Sequence, residues 1–104
     1  MAITMKFTHT RPDTTVAWHH ETTDPVMSAI LKQVEDYINT NYPGVNTVTY
    51  NLSSDGLTLV TLSQWSDSNA YSAFSVTPLC TQYLTTVIDY YTSKGGNRTV
   101  EMVP

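Results

Sequence analysis

The sequence predicts an α+β fold: one four-stranded antiparallel sheet with two helices on a single face. Three observations predict it. Stretches alternating apolar and polar residues with period two lie near both ends and in the middle of the chain. Two stretches with apolar residues at three-to-four spacing separate them. Asp55-Gly56 sits between the two central strand patterns, and that pair tolerates the positive φ that tight hairpins need.

Ile3, Met5 and Phe7 alternate with Thr4, Lys6 and Thr8, a half-buried first strand that Arg11-Pro12-Asp13 interrupts. Thr14 to Glu21 is extended, either as a return strand or as a loop along the sheet edge; the pattern leaves both open. Asp24-Pro25 starts the first helix, a carboxylate for the orphan N–H groups followed by a proline preset for the first turn. Met27, Ile30, Leu31, Val34, Tyr37 and Ile38 form its apolar face, and Pro43-Gly44 stops it by Tyr42. Val48, Tyr50 and Leu52 mark the second strand, and Leu57 to Trp65 the third. The third is apolar on both faces, Leu57 and Leu59 on one and Val60 and Leu62 on the other, as a sheet covered on both sides requires. Ser66 or Asp67 caps a second helix, which Pro78 should break or kink after Ser75. It resumes through Leu79, Tyr83, Leu84, Val87, Ile88 and Tyr91 and ends at Gly95-Gly96. Val100 and Met102 then alternate with Thr99 and Glu101 in a last strand. The order β-α-β-β-α-β is the ferredoxin-like pattern. Ile3, Met5, Phe7, Val48, Tyr50, Leu52, Leu57, Leu59, Val100 and Met102 are expected to face the helices. Thr4, Thr8, Thr47, Thr49, Asn51, Val60 and Leu62 are expected on the opposite face, uncharged enough to be covered.

Composition limits the function classes. At 104 residues the chain fits one domain spanning 1–104. Charged residues are 13%, about half the usual share, and threonine, 18 by count, fills much of the difference. The net charge is −4, and the five cations Lys6, Arg11, Lys32, Lys94 and Arg98 are scattered. Without a basic stripe a nucleic-acid partner is not expected. No stretch approaches the roughly 20 apolar residues of a membrane span, and the first residues lack the apolar run of a signal peptide. Cys80 is alone, so no internal disulfide can form, and a cytoplasmic location is the expectation.

The segment Gly56 to Pro78 carries the one motif-like outline: a turn glycine, the apolar run Leu57 to Leu62, Trp65, the cap Asp67, Ala70-Tyr71 and Thr77-Pro78. It resembles the dimeric α+β barrel superfamily and, within it, the antibiotic-biosynthesis monooxygenases. The resemblance also admits a closer kinship to small members known from marine environmental sequence. It implies a homodimer in which two sheets pack face to face, which would cover the second face. Haem-degrading members resemble the chain at Trp65, but they carry a second tryptophan where Phe74 stands. Their haem-ligating histidine falls at about Leu84, which cannot bind iron. In cofactor-free, quinone-forming members a tryptophan and a tyrosine six residues on position a phenolic substrate, and Trp65 and Tyr71 match that spacing. The asparagine and arginine that accompany them would fall near Thr61 and Thr85 and are missing.

The ligand-pocket candidates are therefore Trp65, Tyr71 and Phe74, together with the three imidazoles His9, His19 and His20. Neither a metal nor another cofactor is expected. The histidines lack the H-x-H and H-x-x-x-H spacings, and on a strand His19 and His20 would point to opposite faces. Two functions stay open. One is a homodimer binding a small apolar or aromatic compound, with a cofactor-independent monooxygenase-like activity as its enzymatic form; the other is a non-catalytic dimerisation or protein-interaction module. An enclosed cavity with convergent polar groups favours the first, a filled core the second.

Overall fold

In the computed structural model, which describes residues 2–103, the strands are β1 (Ile3–Thr10), β2 (Asn46–Leu52), β3 (Thr58–Trp65) and β4 (Asn97–Val103). They pair antiparallel throughout in the order β2-β3-β1-β4. Three helices lie against one face: α1 (Pro25–Asn41), α2 (Ser68–Ser75) and α3 (Pro78–Thr92). This is the expected ferredoxin-like order, with the second helix divided in two.

Local chemistry sets the boundaries. The Asp24 carboxylate accepts the Val26 and Met27 N–H groups at 2.9 and 3.0 Å, which fixes the start of α1. Asp67 caps α2 by accepting from Asn69. At Pro78 the helix breaks, as its missing N–H requires. The Thr77 hydroxyl starts α3 there by accepting from Cys80 at 3.1 Å. In the β2–β3 turn the Asp55 carboxylate accepts from Leu57 at 2.9 Å, and Gly56 takes a φ of +74°.

The segment left open between strand and loop, Thr14 to Glu21, forms successive turns and joins no strand. Arg11 organises it. Its Nε donates to the Gly56 carbonyl at 2.8 Å and its Nη1 to the Val16 carbonyl at 2.6 Å, while the guanidinium lies 4.2 Å over the Trp18 ring. The turns overturn the expectation that His19 and His20 point to opposite faces. Strand alternation does not apply, and the two rings lie 5.5 Å apart, edge to face.

The register settles the faces. Across the sheet Met5 opposes Ser63 and Met102, Phe7 opposes Thr61 and Val100, and His9 opposes Leu59 and Arg98. Because side chains alternate, these residues share the helix-facing side. The other side carries Thr4, Lys6, Thr8, Thr49, Val60, Leu62 and Glu101. The helix-facing side holds two buried clusters rather than one. Trp18, Met27, Ile30, Leu59, Val87, Tyr90 and Tyr91 form one. Val34, Trp65, Ala70, Phe74 and Cys80 form the other. The apolar positions expected on α1 and α3 supply most of both clusters, but Ile88 turns outward and Tyr90 takes an inward place.

Gly96 joins α3 to β4 where the backbone of β1 passes. A Cβ there would stand 2.2 Å from the Thr10 carbonyl oxygen. Gly96→Ala is expected to destabilise the fold by about 1–3 kcal/mol, through forced displacement of a paired strand. Urea unfolding measures this, and a midpoint equal to that of the unsubstituted chain would contradict it.

Candidate functional site

Four residues of β3 face the helices in sequence: Leu59, Thr61, Ser63 and Trp65. The outer two are large and each belongs to a buried cluster. The inner two are small and polar. Between the clusters the helices therefore stand clear of the sheet, leaving a cavity of about 340 Å³. Met5, Phe7, Val48 and Val100 form its floor beside Thr61 and Ser63, and Leu31, Ile38, Tyr83 and Leu84 come from the helices above. Its volume lies at the lower end of the usual range for ligand sites.

The two ends differ in chemistry. At one, Trp65 is 2% exposed and stacks on Phe74, with centroids 5.6 Å apart and planes at 25°. Tyr71 meets the indole edge-on at 5.6 Å. The indole N–H donates to Ser63 Oγ at 3.1 Å, and Ser63 also accepts from Asn46 Nδ2 at 3.0 Å. Trp65 is thus both a core residue and a fixed, flat cavity wall.

The other end is polar. His9 and His19 line it with ring centroids 4.7 Å apart, although ten residues separate them. The turns after β1 return the chain over the sheet, and Tyr91 holds His19 in place. The Tyr91 hydroxyl accepts the His19 backbone N–H at 2.9 Å and lies 2.7 Å from its Nδ1. The hydroxyl can serve both groups at once, as acceptor from the backbone N–H and as donor to Nδ1 in the tautomer that carries its proton on Nε2. Arg98, opposite His9 on β4, places its guanidinium 4.7 Å from the Phe7 ring centroid. Among the described residues nothing hydrogen-bonds to Arg98 Nε and Nη2, to Thr61 Oγ1 or to His9 Nδ1, all of them buried.

Burial and the Arg98 charge lower the pKa of His9 to about 4, and burial with the neighbouring His9 lowers that of His19 to about 3. Both rings are therefore neutral at pH 7. Burial also lowers the Arg98 pKa and raises that of the Cys80 thiol.

Five of the six sequence-derived candidates, Trp65, Tyr71, Phe74, His9 and His19, line this cavity. His20 does not; it stacks at 3.8 Å on Tyr50, itself a wall residue. Among the described residues no group of three or more His, Cys, Asp or Glu side chains is placed to hold a metal ion. Sequence reasoning missed Arg98, counted only as a scattered cation, and Thr61 as an inward hydroxyl. The signal was present for both. Arg98 shares its parity with Val100 and Met102, and Thr61 with Leu59.

No family model matches the sequence, and none of the curated proteins matches it significantly. Solved structures do match. SnoaB, a cofactor-independent oxygenase from Streptomyces nogalater, superposes with a TM-score of 0.60 at 12% identity, over 99% of this chain and 91% of its own. The ActVA-Orf6 monooxygenase of Streptomyces coelicolor, solved with nanaomycin D, gives 0.56 at 19% identity, over 97% and 84%. Rv0793 from Mycobacterium tuberculosis gives 0.57 at 14%, over 98% and 93%. The chain has the fold of the antibiotic-biosynthesis monooxygenases. The likeness read from Gly56 to Pro78 thus extends along nearly the whole chain.

Two outcomes follow from the polar end. Tyr91→Phe strips the hydroxyl from a fully buried side chain and leaves the His19 N–H and Nδ1 without their partner. A loss of about 1–3 kcal/mol is expected in urea unfolding, and an unchanged midpoint would argue against this role. The second outcome concerns pH. Both histidines have folded pKa values below the ordinary 6.5, so below that pH the unfolded chain binds protons that the folded chain excludes. Their contribution is complete above pH 6.5 and is lost as pH falls toward 4 and then 3, by at most about 1.4 kcal/mol per unit for each ring. A His9→Gln, His19→Gln double variant should lose less stability than the unsubstituted chain between pH 6.5 and 4.5. Equal slopes in urea unfolding would remove this account.

Proposed function

We propose that the protein is a small-molecule-binding homodimer, acting as a cofactor-independent monooxygenase-like enzyme on an aromatic or largely apolar compound. One observation carries the reading. The space between sheet and helices is a cavity with aromatic and aliphatic walls, closed at one end by polar groups of which Arg98, Thr61 and His9 have side-chain atoms without a partner among the described residues. A filled core would have supported the alternative, a non-catalytic dimerisation or interaction module. SnoaB is described as a cofactor-independent oxygenase, and ActVA-Orf6, a monooxygenase, was solved in complex with nanaomycin D. Both descriptions support the reading through the shared fold.

In this reading Trp65, Phe74 and Tyr71 fix the plane of a flat ligand, while His9, His19, Thr61 and Arg98 orient its polar edge. Without a cofactor the substrate itself supplies the electrons. A phenol and one O₂ give a quinone and water: the ring C–H and the O–H bonds break, one oxygen atom enters the new C=O bond, and the other leaves as water with the two hydrogens. The low pKa values of His9 and His19 make them weak bases, suited to accepting hydrogen bonds rather than abstracting protons unaided.

The whole chain would act as one domain, in the cytoplasm, where the lone buried Cys80 stays a thiol. The homodimer would cover the face carrying Val60 and Leu62 among threonines.

The test is a fluorescence titration of Trp65, in a Trp18→Phe background, against phenols, quinones and haem, paired with oxygen uptake. Saturable quenching by the aromatic compounds is expected, with oxygen consumed by a reduced phenolic member of the set. Tight haem binding with a Soret shift would overturn the cofactor-free part, and no response to any class would favour the module. Sedimentation at micromolar concentration should report about 23 kDa, twice the 11.6 kDa chain, and a monomer throughout that range would exclude the dimer.

A further inference from the structure

We propose that the polar end of the cavity is a carboxylate site, built around Arg98, so that the ligand is an aromatic carboxylic acid whose apolar body extends toward Trp65. The inference deepens the reading of the cavity as a small-molecule site and rests on it.

Arg98 is the centre of the argument. Its position on β4, in register with His9, directs it to the helix-facing side among Phe7, Val100 and Met102. There its Nε and Nη2 are buried and have no hydrogen-bond partner among the described residues. These two nitrogens lie along one edge of the guanidinium, and their parallel N–H bonds match the two oxygens of a carboxylate. Phe7 attracts the face of the cation at 4.7 Å but leaves that edge unfilled. A half-buried cation with two inward donors unsatisfied is costly to hold, and a bound anion offsets that cost.

The surrounding charges agree. No carboxylate of the described residues forms an ion pair with Arg98; Glu101 faces Lys6 across the other side of the sheet, and Asp36 pairs with Lys32 on α1. Glu35 is the one acid on the cavity wall, and it is exposed to solvent. The other titratable groups around Arg98 are His9, His19, Cys80 and Tyr83, all uncharged at neutral pH. The site therefore presents a single positive charge and suits a monoanion. Thr61 Oγ1 and His9 Nδ1, both buried and without a partner among the described residues, line the same cavity, His9 on the strand next to Arg98 and Thr61 one strand further. Thr61 and Trp65 are four residues apart on β3, about 13 Å along the strand, which leaves room for a fused-ring body between the two ends.

The proposal is tested by isothermal titration calorimetry of the full chain at pH 7.5 with 2-naphthoate and with 2-naphthamide, which has the same shape without the charge. The naphthoate is expected to bind at least about tenfold more tightly. Arg98→Met should bring the two within about twofold by weakening the naphthoate far more than the amide, and Arg98→Lys should retain part of the preference. Arg98→Met should also melt at or above the temperature of the unsubstituted chain, since it removes two buried donors that have no partner among the described residues. Equal affinities in the unsubstituted chain would overturn the carboxylate site and leave the small-molecule reading standing. So would a preference that survives Arg98→Met. A melting temperature lowered by more than about 5 °C would assign the guanidinium to holding the fold and would also overturn it. Binding of neither probe would overturn this inference and the small-molecule reading together.

Discussion

The helix layer meets the sheet through two separate aromatic clusters, and the site depends on the gap between them. Leu59 anchors one cluster and Trp65 the other, six residues apart on the same face of β3. At the usual strand rise this separation is about 20 Å. α1 and α3 are long enough to reach both clusters, with Met27 and Ile30 in one and Val34 in the other, and with Val87 and Tyr91 in one and Cys80 in the other. A helix pinned at both ends cannot sink into the middle, where Thr61 and Ser63 are too short to meet it. Large apolar side chains at those two positions would fill the space and unite the clusters.

The polar end depends on a segment with no regular secondary structure. Arg11 ties the turns after β1 to the β2–β3 hairpin, Trp18 enters the core beneath its guanidinium, and the Tyr90 hydroxyl donates to the Ala17 carbonyl at 2.5 Å. Together with the bonds from Tyr91 to His19, these contacts supply the backbone partners that a buried loop must find. They also explain why His19 can face His9 with both rings almost wholly buried. The segment is held by side chains from α3, so packing of that helix and placement of the histidine are a single structural event.

Most of the fold was legible because its signals are local. Asp24-Pro25, Asp55-Gly56, Asp67, Pro78 and Gly95-Gly96 each act within a turn of their own position, and period-two alternation assigned the sheet faces correctly. The aromatic end of the site was legible for the same reason, since Trp65, Tyr71 and Phe74 fall within ten residues. The polar end was legible only in part, through His9 and His19, because it joins β1, the following turns, β3 and β4. Arg98 was hidden by being counted as a charge when its parity marked it as inward. His19 was named as a candidate, but its place beside His9 was hidden because the pattern left strand and loop open where Arg11 and Trp18 impose turns, a tertiary constraint with no local signature. The cavity itself is a property of four residues read together. Leu59, Thr61, Ser63 and Trp65 each look ordinary for a strand, and only their order, large-small-small-large, separates the layers.

The low charge content of the chain gives the polar end its character. With charged residues at 13%, few compensating groups are available, and the acids that pair with lysines do so on the surface, where water and salt screen them. The buried Nε and Nη2 of Arg98 lie on the side of Phe7 and the neutral histidines, where an opposite charge would interact more strongly than at the surface. The frame and the site can then vary separately. Structures at 12–19% identity retain the sheet and helices, and capping, alternation and two apolar anchors can be met by many side chains. An unpaired arginine facing the cavity meets none of those structural needs and leaves buried donors unsatisfied. Its presence is therefore an argument about what enters the cavity, because function resides in the groups a fold presents rather than in the fold itself.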